Sequence, residues 1–111
     1  MKPIQLSEIK PVTLCAGFES KLIHSNSMTW SFVHSKAGHT LPAHQHLHEQ
    51  VTHIVQGDFE LTVNGTPHLL SAGAVFIIPS NTVHSGKSIT DCDIIDVFNP
   101  VREDYAKLSA Q

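Results

Sequence analysis

Gly38-His39-Thr40-Leu41-Pro42-Ala43-His44-Gln45-His46-Leu47-His48-Glu49-Gln50, continued by a β-branched run over 51–56 and closed by Gly57, is the stretch on which the fold turns. In an extended strand alternate side chains point to the same side, so His44 and His46, two residues apart, present their imidazoles together. Paired neutral imidazoles make a chelate, and imidazole is the commonest protein ligand for a transition metal. Gln50 lies four residues beyond His46, an even step that keeps it on the same face of a regular strand, and its amide oxygen suits a hard or borderline cation. His84 comes far later, after Pro79-Ser80-Asn81-Thr82-Val83, where a loop can aim it back at the other three. His44, His46, Gln50 and His84 are therefore the candidate ligands of one divalent transition metal ion, with zinc, nickel, manganese and iron all compatible.

Outward from this stretch the chain reads as all-β. Trp30-Ser31-Phe32-Val33-His34 alternates as a half-buried strand, broken by Lys36-Ala37-Gly38. The run over 51–56 and the alternating Phe59-Glu60-Leu61-Thr62-Val63 read as two adjacent strands. Asn64-Gly65 accepts the positive φ angles of a type I′ hairpin turn and returns the chain through His68-Leu69-Leu70. Ala74-Val75-Phe76-Ile77-Ile78 is a continuous apolar run, the pattern of a strand buried on both faces, and Pro79 ends it. A last strand over 93–98 stops at Asn99-Pro100, and Glu103–Ser109 forms a short terminal helix or a frayed tail. Short antiparallel strands with glycine turns make a sandwich or a closed barrel.

Nine histidines in 111 residues are the compositional anomaly. The length fits one domain, residues 1–111, and neither disorder nor a membrane protein suits 41% apolar and 15% charged residues. A net charge of −3 and a single arginine leave no basic stripe for phosphates, which argues against a nucleic-acid partner. Met1-Lys2-Pro3-Ile4-Gln5-Leu6 lacks the apolar run of a signal peptide, so a cytoplasmic location is expected. Cys15 and Cys92, far apart and without metal-type spacing, then read as buried thiols. Of the remaining histidines, His48 with Glu49 sits inside the ligand loop as a supporting or packing residue. His53 has the opposite strand parity and reads as structural, and His24, His34, His39 and His68 read as surface or packed residues.

A second constellation lies near the C-terminus. Ile94-Ile95-Asp96-Val97-Phe98 buries an aspartate in an apolar strand with no basic partner nearby before Arg102. Alternation puts Asp96 and Phe98 on one face, and the turn at Pro100 lets Arg102 swing back toward the same mouth. Asp96 is the candidate general acid or base, Arg102 a bidentate clamp for a substrate carboxylate, and Phe98 a wall against a ring. The other reading is a structural ion pair between Asp96 and Arg102 that pins the tail.

These residues resemble the cupin family. Gly38, five residues, His44-Gln45-His46, three residues, Gln50, six residues and Gly57 match the first cupin motif, with Gln50 replacing the usual acid. Gly73, five residues, Pro79, Asn81 in place of glycine, His84, and Ser88 in place of asparagine resemble the second. The resemblance implies a double-stranded β-helix, the jelly-roll barrel, with the metal at its open end, and a homodimer formed by strand exchange or sheet packing. Asp96-Val97-Phe98-Asn99-Pro100-Val101-Arg102-Glu103-Asp104-Tyr105, taken with the ligand stretch, is similar to the small pectin-degradation cupins that open unsaturated uronate rings. That likeness implies three histidines and a glutamine on the metal, and Asp96, Phe98 and Arg102 serving the linearisation of a 4,5-unsaturated monouronate. Three neutral imidazoles and an amide leave the ion's double charge uncompensated, which favours a small anionic sugar acid as substrate. The same ligands also suit a metal-dependent dioxygenase, or a module that binds a sugar acid without turning it over.

Overall fold

In the computed structural model, which describes residues 1–110, a 3-10 turn over Leu6–Glu8 leads into ten strands and one helix. The strands are β1 (Val12–Cys15), β2 (Phe18–His24), β3 (Thr29–Ser35), β4 (Thr40–His44), β5 (Glu49–Gln56), β6 (Phe59–Val63), β7 (Thr66–Leu70), β8 (Val75–Ile78), β9 (His84–Ser88) and β10 (Cys92–Asn99). The helix is α1 (Glu103–Ser109), in the place expected for a helix or a frayed tail. No helix among the described residues is long and apolar enough to cross a membrane.

Six strands in the order β1-β2-β3-β10-β5-β8 face four in the order β4-β9-β6-β7, with every pairing antiparallel. This is the expected jelly roll. Phe18, Val33, Ile54 and Ile94 from the larger sheet meet Phe59 and Leu61 from the smaller. Phe18 and Phe59 join the layers edge to face, with ring centroids 6.4 Å apart, and each buried side chain of this kind contributes roughly 1.5–3 kcal/mol. Two hydroxyl pairs are satisfied inside: Ser20 with Ser31, and Ser35 with Ser88, each 2.6 Å apart, the second linking the two sheets.

Turn chemistry explains both the expected hairpin and the first departure. Asn64 and Gly65 adopt φ 48° and 80°, and Val63 pairs with Thr66 across the tight β6–β7 turn. The run over 51–56 and the strand at 59–63, expected to be adjacent, do not pair: β5 lies between β10 and β8, and β6 lies between β9 and β7. Gly57, at φ 92°, carries the chain from one sheet to the other, and a side chain there would collide with the Asp91 carbonyl.

β8 is the second departure. It is an edge strand rather than one buried on both faces: Ile78 is fully buried, whereas Val75 and Ile77 are 57% and 61% exposed. Its apolar run has no covering layer within the described residues on the outward side. In β3 the buried face is Thr29, Ser31, Val33 and Ser35, which sends Trp30 outward to stack on Phe32.

Register then gathers the site at one end of the sandwich. Along β4 and β9 His44 stands opposite His84, and along β5 and β10 Gln50 stands opposite Phe98. Residues scattered over half the sequence thus share one mouth.

Candidate metal centre

His44 ends β4 and His84 begins β9, so the pairing of these strands sets the two rings side by side with centroids 4.2 Å apart. His84 is therefore on a strand, not in the loop that the sequence suggests. His46 in turn lies beyond the end of β4, in the loop before β5, rather than on a regular strand with His44. That loop is fixed from across the mouth: the Asn81 backbone N–H donates to the His46 carbonyl at 2.8 Å, and the Ser80 hydroxyl donates to the Leu47 carbonyl. Asn81 holds φ 57°, the left-handed conformation that asparagine tolerates better than most residues, which explains how it can stand where the motif has glycine.

Backbone carbonyls set the tautomer of all three rings. The Nδ1–H of His44 donates to Pro42 at 2.8 Å, that of His46 to His48 at 3.0 Å, and that of His84 to Thr82 at 2.8 Å. Each neutral imidazole then keeps a bare lone pair on Nε2. The ligand-capable atoms of the three histidines lie within 4.8 Å of one another, and the Nε2 of His84 is buried without a hydrogen-bond partner. Burial, the Arg102 guanidinium and His84 push His46 down to about 4; burial also lowers His84. His46 and His84 therefore stay neutral at physiological pH and ready to ligate.

Gln50, the fourth candidate ligand, is buried as the second residue of β5. Its amide nitrogen donates to the Thr52 hydroxyl at 2.9 Å and to Asp96 Oδ1 at 3.2 Å, which turns Oε1 toward His46 Nε2 at 3.1 Å. Two lone pairs facing each other at that distance repel unless a cation lies between them. The spacing suits two ligands each about 2.1 Å from one ion and at a right angle to each other. The donor set fits a divalent metal on both counts.

Beside it, Asp96 accepts from the Thr52 hydroxyl at 2.7 Å as well as from Gln50. Burial raises its carboxyl to about 6 despite the opposing pull of those donors and of Arg102. Phe98 sets its ring edge against His46, with centroids 5.6 Å apart. Arg102 reaches the mouth: it lines the same cavity as His44, His84 and Asp96. It forms no ion pair with Asp96. Its Nε and Nη2 instead donate to Asp104 at 3.2 and 2.7 Å, and its guanidinium lies 3.7 Å from the Tyr105 ring centroid and 4.8 Å from that of Phe98.

All the residues singled out in the sequence for a site thus converge. The structure adds Thr52, Asp104 and Tyr105. Thr52 shares strand parity with Gln50 and was legible on that ground, whereas Asp104 and Tyr105 gave no periodic signal. His48 contributes its carbonyl to His46, His53 lies on the outward side of β5 as expected, and His34 pairs with Asp93 at the surface. Cys15 and Cys92 are free thiols, the first only partly buried.

Comparison with known proteins agrees with this architecture. The chain is 28% identical over 92 residues to the pectin degradation protein KdgF of Dickeya dadantii, covering 80% of this chain and 84% of that protein. The solved KdgF from a Halomonas species superposes with a TM-score of 0.84 at 30% identity, covering 89% of this chain and 93% of that one. An RmlC-like cupin from Shewanella frigidimarina gives 0.84 at 26% identity, covering 89% and 90%. A salicylate 1,2-dioxygenase from Pseudaminobacter salicylatoxidans shares the fold alone, with a TM-score of 0.75 at 18% identity over 81% of this chain and 28% of its own. The cupin domain model matches residues 31–98, the span that carries every histidine of the mouth, and the chain belongs to the cupin family.

Proposed function

We propose that this cupin is a metal-dependent enzyme that linearises 4,5-unsaturated monouronates released from pectin or alginate. The observation that carries the reading is Asp96, a carboxyl raised to about 6, in one cavity with His44, His84, Gln50 and the protein's single arginine. Likeness to two KdgF proteins, one named for pectin degradation, supports the substrate class. His44, His46, Gln50 and His84 would hold one divalent ion, which supplies Lewis-acid polarisation of a bound oxygen.

The chain's own residues do the rest. Arg102 binds the substrate carboxylate with its guanidinium, and Phe98 packs against the ring. Asp96 takes the proton from the anomeric hydroxyl as the bond from C1 to the ring oxygen breaks, which leaves an aldehyde at C1 and an enolate at C5. It then returns that proton to C4, and the enolate becomes a ketone. The net change moves one proton from oxygen to carbon, with no redox step. A carboxyl held near 6 populates both of its forms close to neutral pH, as this double duty requires.

Metal-loaded protein is expected to abolish the ultraviolet absorbance of the unsaturated uronate, without oxygen, while Asp96→Asn leaves it almost unchanged. No loss of absorbance beyond the spontaneous rate would sink the reading. Oxygen uptake would favour a dioxygenase instead, and saturable binding without turnover a binding module.

The working unit is proposed to be a homodimer. The outward face of the larger sheet exposes Trp30, Val55, Val75 and Ile77 by 38%, 46%, 57% and 61%. That face also carries a groove lined by Lys21, Phe32, His34, Val55, Asp93 and Ile95. A lysine and an acid flanking one apolar groove are self-complementary, so a two-fold axis can set each Lys21 against a partner acid.

A further inference from the structure

We propose that Tyr105 is a substrate-binding residue which, with Arg102, forms a two-residue clamp for the carboxylate of the sugar acid. The class of ligand rests on the uronate reading above; the clamp itself rests on geometry.

Tyr105 sits in the first turn of α1 and lines the same cavity as His44, His84, Asp96 and Arg102. Its ring face carries the Arg102 guanidinium at 3.7 Å, and its edge meets Phe98 with centroids 5.6 Å apart at 88°. Those contacts use only the ring, and a phenylalanine would make them equally well. The hydroxyl is what packing does not explain. Among the described residues no hydrogen bond reaches it, and it is not one of the buried polar atoms without a partner, which are His48 Nδ1 and His84 Nε2, so the hydroxyl stands open at the cavity that Tyr105 lines. Burial also pushes this phenol up to about 12, so it stays a donor throughout the physiological range.

Arg102 shows where a further donor acts. The edge formed by Nε and Nη2, the side-on fork that best grips a carboxylate, is occupied by Asp104. Asp104 thereby holds the guanidinium in place but leaves only its end for a ligand. That end still presents an Nη1–H and an Nη2–H, and the phenolic O–H beside the guanidinium adds a further donor for a carboxylate held there. Asp96, on the same cavity, repels the carboxylate when ionised and accepts from hydroxyls. The acid end of a ligand is thus directed to Arg102 and Tyr105, and its hydroxyl end toward Asp96 and the histidines.

The test uses galacturonate, a saturated uronate that lacks the C4=C5 bond and so cannot react, titrated into the metal-loaded protein and followed by NMR, with galactose as the neutral control. Tyr105→Phe keeps the ring stacking and should melt at the wild-type temperature. It should bind galacturonate about tenfold more weakly, as expected for one lost hydrogen bond to a charged group, while galactose binding is unchanged. Galacturonate affinity within twofold of wild type would overturn the inference alone, and so would an equal loss for both sugars. Failure of the wild-type protein to bind galacturonate at all would overturn the uronate reading and the inference with it.

Discussion

Gln50 shows how much one side chain decides here. As an amide it turns an oxygen to His46 and a nitrogen to Asp96, so it joins the proposed ligand set to the proposed acid–base group. A glutamate, the acid usual at this position of the motif, would keep the ligand oxygen but replace the donor with a second carboxylate beside Asp96. Like charges that close do not both ionise, and Asp96, already raised by burial, would be driven higher. Gln50→Glu is therefore expected to retain its metal, to lose about tenfold or more in kcat at neutral pH, and to shift the acid limb of its pH–rate profile upward. A profile identical to wild type would show that the amide and Asp96 are uncoupled. The histidines, Gln50, Asp96 and Arg102 were all legible in the sequence, because fixed spacings and an aspartate among apolar neighbours are chemically conspicuous. Asp104 and Tyr105 were not, because their positions depend on how the chain turns after Pro100, and no periodicity encodes that.

Among the elements, α1 carries Tyr105 and Asp104 and is latched to the larger sheet by a relay of hydrogen bonds. The Arg102 backbone N–H donates to the Thr29 hydroxyl at 2.9 Å, and that hydroxyl donates to His24 Nδ1 at 2.9 Å. His24 Nε2–H then donates to Ser109 Oγ at 2.9 Å, and the serine donates on to the Ala106 carbonyl at 3.2 Å. Every group has one role, and the relay needs a neutral His24. Burial lowers the His24 pKa despite the opposing Glu103. The unfolded chain therefore takes up this proton first as pH falls, and the latch's contribution, present above about 6.5, is lost on acidification. His24→Ala should cost about 1 kcal/mol near neutral pH, with faster amide exchange in α1, and the deficit should narrow toward pH 5. Unchanged exchange in α1 would contradict the latch. Two elements misled the sequence reading for physical reasons. An apolar run looks alike whether it is covered on both sides or lies at an open edge, as β8 does. A glycine that carries the chain between sheets, as Gly57 does, also resembles a glycine that closes a hairpin.

For the whole molecule, two sheets closing on one mouth is the arrangement that the motif spacings imply, and the fold was legible from them. The outward apolar face was not, because Trp30 and Phe32 in an alternating strand read naturally as core. If a second copy covers that face, the protein should have a dimeric mass at micromolar concentration, and Ile77→Lys, which replaces a side chain that is 61% exposed, should yield a folded monomer. A monomeric wild-type mass would reject the dimer. The central claim, that the mouth is a metal site, is tested most directly by elemental analysis of protein purified without chelator or affinity nickel, wild type beside His84→Ala. The account predicts about one divalent transition metal ion per chain in the wild type and a large loss in the variant. A wild-type protein that purifies without metal and takes up none when divalent ions are supplied would contradict it.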